Sequence, residues 1–137
     1  MPEPRLTTLA HQLIAAHLQP GDHAVDATAG NGHDTLFLAR QVGAGGRVDA
    51  FDIQPRALEH TRQRLDEAGI RTRTTLHLRS HAEMACVLAD CQDQVAAITF
   101  NLGYLPGGDK AQITQPDSTL DALAAAAWLL RPGGVIA

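Results

Sequence analysis

Short apolar runs alternate with longer helical runs along the whole chain, and that alternation restricts the fold more than any other feature of the sequence. Leu6, Leu9, Ala10, Leu13, Ile14 and Leu18 repeat at helical spacing until "QPG" (Gln19 to Gly21) stops them. "HAVDATAG" (His23 to Gly30) reads as a short strand running into a glycine turn, and "DTLFLARQV" (Asp34 to Val42) as a helix closed by "GAGG". "RVDAFD" (Arg47 to Asp52) is a second strand. "PRALEHTRQRLDEAG" follows, with Pro55 in its first helical turn and Gly69 at its end. "RTTLHL" (Arg73 to Leu78) is a third strand, Ala82 to Leu88 a short helix, and "VAAITF" (Val95 to Phe100) a fourth strand. Ser118 and Asp121 form a capping-box-like start to "TLDALAAAAWLL", "RPGG" ends that helix, and "VIA" opens a fifth strand. Strands separated by helices pair in parallel, so the expected fold is α/β, a parallel sheet with helices on both faces.

The 137 residues suffice for a single domain spanning 1–137, with 1–20 as an N-terminal helix. A chain that is 45% hydrophobic and 19% charged can bury a core. It has no signal-type opening run and no apolar stretch of ~20 residues, so a cytoplasmic protein without membrane contact is expected. Cys86 and Cys91 are too few for a disulfide framework, and with His77 and His81 they make no zinc pattern, so no metal is expected. The net charge of −4 argues against broad, sequence-blind binding to nucleic acid. Six arginines (56, 62, 64, 71, 73 and 79) nevertheless fall in one stretch, either as a solvated face or as a local phosphate-contacting patch. The sequence stops two or three residues into the fifth strand, which would leave a poor edge. An incomplete version of a longer protein, truncated at that strand, is therefore expected.

In open α/β sheets ligands sit beyond the carboxyl ends of the strands, where strand order reverses. "DATAGNGHDT" (Asp26 to Thr35) falls there. Gly30 and Gly32 permit a sharp turn, and the following helix presents free N–H groups. Asp52, at the end of the second strand, can accept from both hydroxyls of a ribose. Together these features indicate a nucleoside-containing cofactor. The third position of a dinucleotide motif is Thr35, and Asp34 at the helix start would repel a pyrophosphate. Asp26, Asn31 and Asp34 suit the zwitterionic end of S-adenosylmethionine better, so that cofactor is expected over NAD.

The fourth strand runs into "FNLGYLPGG" (Phe100 to Gly108), an amide and a tyrosine set between glycines. Methyl transfer to an amine is an in-line displacement governed by positioning. Asn101 and the backbone carbonyl of Leu102 or Gly103 can accept two amine hydrogens and aim the nitrogen lone pair. Gly103 allows close approach, and the Tyr104 ring can stack on a base.

"DATAGNGHDTLFLA", "FDIQ" and "FNLGYLPGGDK" together resemble class I methyltransferases of the rRNA methylase family. The likeness runs from about Asp22 to the last residue. It implies a Rossmann-like fold and S-adenosylmethionine as cofactor. Members of that family act on the tRNA wobble uridine in the anticodon region, converting 5-aminomethyl-2-thiouridine to its 5-methylaminomethyl form, and are often homodimers. They usually run longer and complete a larger sheet, so the C-terminal strands are expected to be missing here. The resemblance implies cofactor contacts at Asn31, Asp34, Asp52, Gln54 and His81, with Ile53 and Gln54 flanking the adenine and Asn101 reaching the methyl. His33 and His81 are the candidate bases should one be needed, and Lys110 the candidate for an RNA phosphate. The alternatives left open are methylation of rRNA or of a small amine, and a non-catalytic cofactor-binding subunit.

Overall fold

The computed structural model describes residues 6–101 and 116–137. Five strands, β1 (His23–Asp26), β2 (Arg47–Asp52), β3 (Thr74–Leu78), β4 (Val95–Thr99) and β5 (Leu130–Ile136), form one sheet in the order β3-β2-β1-β4-β5. Every pairing is parallel. The helices are α1 (Leu6–His17), α2 (His33–Val42), α3 (Pro55–Glu67), the short α4 (Met84–Val87) and α5 (Pro116–Leu129). Strand order reverses between β1 and β4, and there the backbone of Ala27 donates to the carbonyl of Thr99 at 2.9 Å.

Alternation along the strands sends side chains to two separate cores. Val25, Phe51, Val95 and Ile98 pack with Met84, Ala122, Ala126 and Leu129 on the α4/α5 face. Ala24, Val48 and Ala97 pack with Ile14, Leu38, Val42 and Leu65 on the α1/α2/α3 face. Strands buried on both sides need little polar alternation, which is why "VAAIT" is buried throughout.

Two expected boundaries move. The last helix begins at Pro116, so Ser118 and Asp121 lie inside it and do not cap it. A proline has no N–H to lose at a helix start, a signal the capping-box reading passed over. "RPGG" does not separate helix from strand: α5 gives way directly to β5, and Arg131 to Gly134 bulge within that strand. Val95 pairs with Leu130 and Ala97 with Val135, so two steps on β4 match five on β5. Gly133 takes a positive φ of 80° in this excursion. Elsewhere the differences are small: Arg73 closes a 3₁₀ turn before β3, and the short helix after β3 opens as a 3₁₀ turn at His81–Glu83.

Candidate active site

The turn leaving β1 is built around Asp26. This carboxylate is fully buried, accepting from the Thr28 amide at 3.0 Å and the Thr35 hydroxyl at 2.7 Å. Burial, reinforced by the charge of Asp34, pushes its pKa up to about 7 against the pull of the Thr35 hydrogen bond. The structure therefore places Asp26 beneath the turn as its internal brace.

Above it, Gly30 and Gly32 both have positive φ, 53° and 86°. A Cβ on Gly32 would meet the Thr61 Cα at 2.7 Å, so α3 can pack against the turn only where that residue lacks a side chain. α3 also binds the turn directly. The Thr61 hydroxyl reaches the Gly30 carbonyl at 3.3 Å, and Arg64 Nε donates to the Asn31 carbonyl at 2.9 Å.

Asp52 joins this turn to the next. One carboxylate oxygen accepts from the Gly30 amide at 3.0 Å and the other from the Gln54 amide at 2.9 Å. Asp52 is partly exposed, and each oxygen keeps a further lone pair. Ile53 beside it is 53% exposed, and Gln54 caps α3 with extended backbone. His81 is only 6% exposed, tilts against Phe100 with ring centroids 5.7 Å apart, and has a buried Nδ1 without a partner. Burial lowers its pKa, and the charge of Asp52 offsets that in part. Its place is set by Ser80, whose hydroxyl accepts from the Ala82 amide while Glu83 accepts from the Ser80 amide.

On the other side of the turn, Asp34 lies in the first turn of α2. Its Oδ1 is 2.6 Å from His11 Nε2, and the His11 ring stacks flat on Phe37 with centroids 3.9 Å apart. His11, Asp34, Thr99, Phe100 and Asn101 share a cleft of about 410 Å³, walled also by α1 and Ala137. The backbone N–H of Asn101 donates to the Thr28 hydroxyl at 2.6 Å, tying the end of β4 to the β1 turn and leaving residue 101 exposed. The Thr99 hydroxyl is buried without a partner.

The fold thus brings Gly30, Asn31, Gly32, Asp34, Asp52, Ile53, Gln54, His81 and Asn101 to the carboxyl edge of the sheet. His33 opens α2 as an exposed residue. Leu102, Gly103, Tyr104 and Lys110 lie outside the described residues. The basic stretch is largely committed internally: Arg62 to Glu59 and Asp66, Arg64 to Asn31, Arg73 to the Ala39 carbonyl, and Arg79 to Glu83. Sequence reasoning missed His11. Its spacing from Ile14 and Leu18, both buried, puts it on the inner stripe of α1, but its partner is 23 residues away. Among the described residues no group of His, Cys, Asp or Glu could hold a metal ion, and no helix is long and apolar enough to cross a membrane.

Residues 48–137 match the family described as "Putative rRNA methylase". The chain belongs to this rRNA methylase family. A crystal structure from the same family, a "putative rRNA-methylase" from Clostridium thermocellum, is 42% identical and superposes with a TM-score of 0.93, over 99% of this chain and 72% of that one. A Streptococcus mutans "putative methyltransferase" in complex with SAH is 34% identical with a TM-score of 0.84, over 98% and 72%. The Arabidopsis thaliana protein named tRNA (mnm(5)s(2)U34)-methyltransferase, chloroplastic, is 42% identical over 96% of this chain. The chain spans about half that relative's length, 51%. The parallel sheet with its β1/β4 reversal is the Rossmann-like fold of class I methyltransferases.

Proposed function

We propose that the protein is an S-adenosylmethionine-dependent methyltransferase that N-methylates the 5-aminomethyl group of (2-thio)uridine at the tRNA wobble position. The carrying observation is that Asp34 and Asn101 open onto one cleft at the switch point while Asp52 waits on the other side of the same glycine turn. Two partly exposed carboxylates around the turn, Asp34 and Asp52, suit a cofactor with a cationic end and no phosphate. The donor set fits: Asp52 keeps lone pairs for ribose hydroxyls, Ile53 offers an apolar face to adenine with Gln54 beside it, and His81 carries a buried, unpartnered Nδ1. Asp34 Oδ2 is left for an ammonium, and the amides opening α2 for a carboxylate, while the Gly30 and Gly32 amides are already committed to Asp52 and the Ala29 carbonyl. When bound, the cofactor supplies an electrophilic methyl group on a sulfonium.

The chain's own contribution is orientation. Asn101 accepts an amine N–H, and the Leu102 or Gly103 carbonyl accepts the second, fixing the nitrogen lone pair. Tyr104 stacks on the base, and Lys110 meets a phosphate. A single domain over 1–137, a cytoplasmic location and a homodimer belong to the same reading. The plant relative's name adds support for the wobble substrate. The family's printed description keeps rRNA as a second substrate reading.

The test is tRNA from cells that lack the final wobble methylation, incubated with the protein and S-adenosylmethionine, digested to nucleosides and weighed. One added methyl on 5-aminomethyl-2-thiouridine is the expected result. Methyl incorporation into ribosomal RNA alone would move the assignment to the second reading.

A further inference from the structure

We propose that His11 is the proton acceptor for the substrate amine, held in register for that task by Asp34 and Phe37. The inference rests on the amine-methylation reading above. A primary alkylamine resembles a lysine side chain, whose ordinary pKa is about 10.4, so at neutral pH it arrives as an ammonium without a free lone pair. A residue that takes that proton in the site raises the reactive fraction far above what water alone supplies. His33 is exposed and makes no side-chain hydrogen bond or ion pair among the described residues, and His81 is buried on the Asp52 side of the turn. His11 is the histidine that lines the cleft with Asn101.

Two contacts define its geometry. The 2.6 Å approach to Asp34 fixes Nε2 as the protonated nitrogen, donating to a carboxylate that can only accept. That leaves Nδ1 with the lone pair. The flat stack on Phe37, 2° between planes, stops the ring from turning away. The charged groups around the ring are few. α2 presents Asp34, with buried Asp26 behind it. β4 contributes Thr99 to the cleft and the segment after it Phe100 and Asn101, none of them titratable. The cation of β5, Arg131, is engaged at the far end of α1 by Asp22 and the His17 carbonyl, beside His17 itself. In the step itself an N–H bond of the ammonium breaks and an Nδ1–H bond forms. The electron pair stays on the amine nitrogen, and the imidazolium later returns its proton to water. Nothing is oxidised or reduced.

The first arm of the test needs no turnover: ¹⁵N NMR of the protein's imidazoles at pH 8. The expected spectrum shows His11 with a protonated Nε2 and a bare Nδ1; the opposite tautomer overturns the proposal. The second arm follows methyl transfer to an aminomethyluridine RNA from pH 6 to 10 for the wild type, His11→Gln and His11→Ala. At pH 7 His11→Gln should lose roughly 100-fold in rate, the lower range for general-base catalysis, and recover as the pH nears the amine's own pKa. Free imidazole should partly restore His11→Ala, and cofactor affinity should stay within about threefold in both variants. A rate defect equal at every pH, or none, overturns the role of His11 while leaving the amine reading intact. A wild type that binds S-adenosylmethionine but methylates no amine removes that reading and this proposal with it.

Discussion

Asp26 and Asp52 end neighbouring strands with the same functional group, yet they face opposite solvation. Asp52 is open to solvent, so its spare lone pairs can meet a ligand; Asp26 is fully buried, and its own cannot. Asp52→Ala should weaken S-adenosylmethionine binding by about 1–3 kcal/mol in calorimetry, since the ribose hydroxyls and the Gly30 and Gln54 amides all lose an acceptor. Unchanged affinity would remove Asp52 from the site. Asp26 carries a pH signature. Its folded pKa of about 7 lies above the unfolded value near 3.8, so its contribution is complete below ~pH 3.8 and declines as the pH rises through about 7. Asp26→Asn is neutral at every pH. Its stability relative to the wild type should therefore climb from pH 4 to 7 in urea titrations and level off above, and a flat difference would refute the burial argument. Asn101→Ala should depress turnover far more than cofactor affinity; equal losses would make Asn101 a cofactor ligand instead. The glycine turn and Asp52 could be read from the sequence because spacing within one β-turn-α-β unit defines them. The sealing of Asp26 depends on a threonine nine residues on, and the His11–Asp34 pair on two helices meeting, and neither leaves a mark in local spacing.

At the scale of elements, most of the architecture follows from local rules, and the exceptions have identifiable competitors. Helix starts at Pro55 and Pro116 obey the same steric preference, but a serine and an aspartate inside α5 imitate a cap. "RPGG" carries the composition of a helix stop, and pairing with β4 drew it into a bulged strand. "SHAE" at residues 80–83 is a true capping box of the S-x-x-E form, readable in the sequence, and it seats His81. The packing of α3 on the glycine turn yields a further prediction. Gly32→Ala places a methyl group against the Thr61 backbone and a side chain at a φ of 86°, so it should destabilise the fold by roughly 1–3 kcal/mol. Thermal unfolding of the variant measures this directly. A wild-type melting temperature would show that α3 can retreat from the turn at no cost.

For the molecule as a whole, the balance of charge bears on how RNA is held. A net charge of −4 and arginines already paired within the chain leave few cations for phosphates. RNA affinity should therefore fall only shallowly with salt. Each phosphate contact on a single strand adds about 0.7 to the log–log slope, and a total below about 2 is expected. A steep slope in fluorescence titrations would mean that the arginines exchange their partners for RNA. One further feature lies away from the site, across three strands of the sheet. The carboxylate of Asp49 on β2 is fully buried and accepts from His23 on β1 at 2.7 Å and His77 on β3 at 2.8 Å, with Arg47 Nε at 2.9 Å. Burial alone would raise its pKa; the histidines and the arginine reverse that and hold it well below the usual carboxylate range. Losing either histidine leaves a buried anion with one partner fewer, only the other histidine and Arg47 remaining, whereas losing Asp49 and both histidines together removes the buried charge with its partners. Single steps through sequence space are thus blocked where a joint step is open, so these three positions on separate strands behave as one inherited unit.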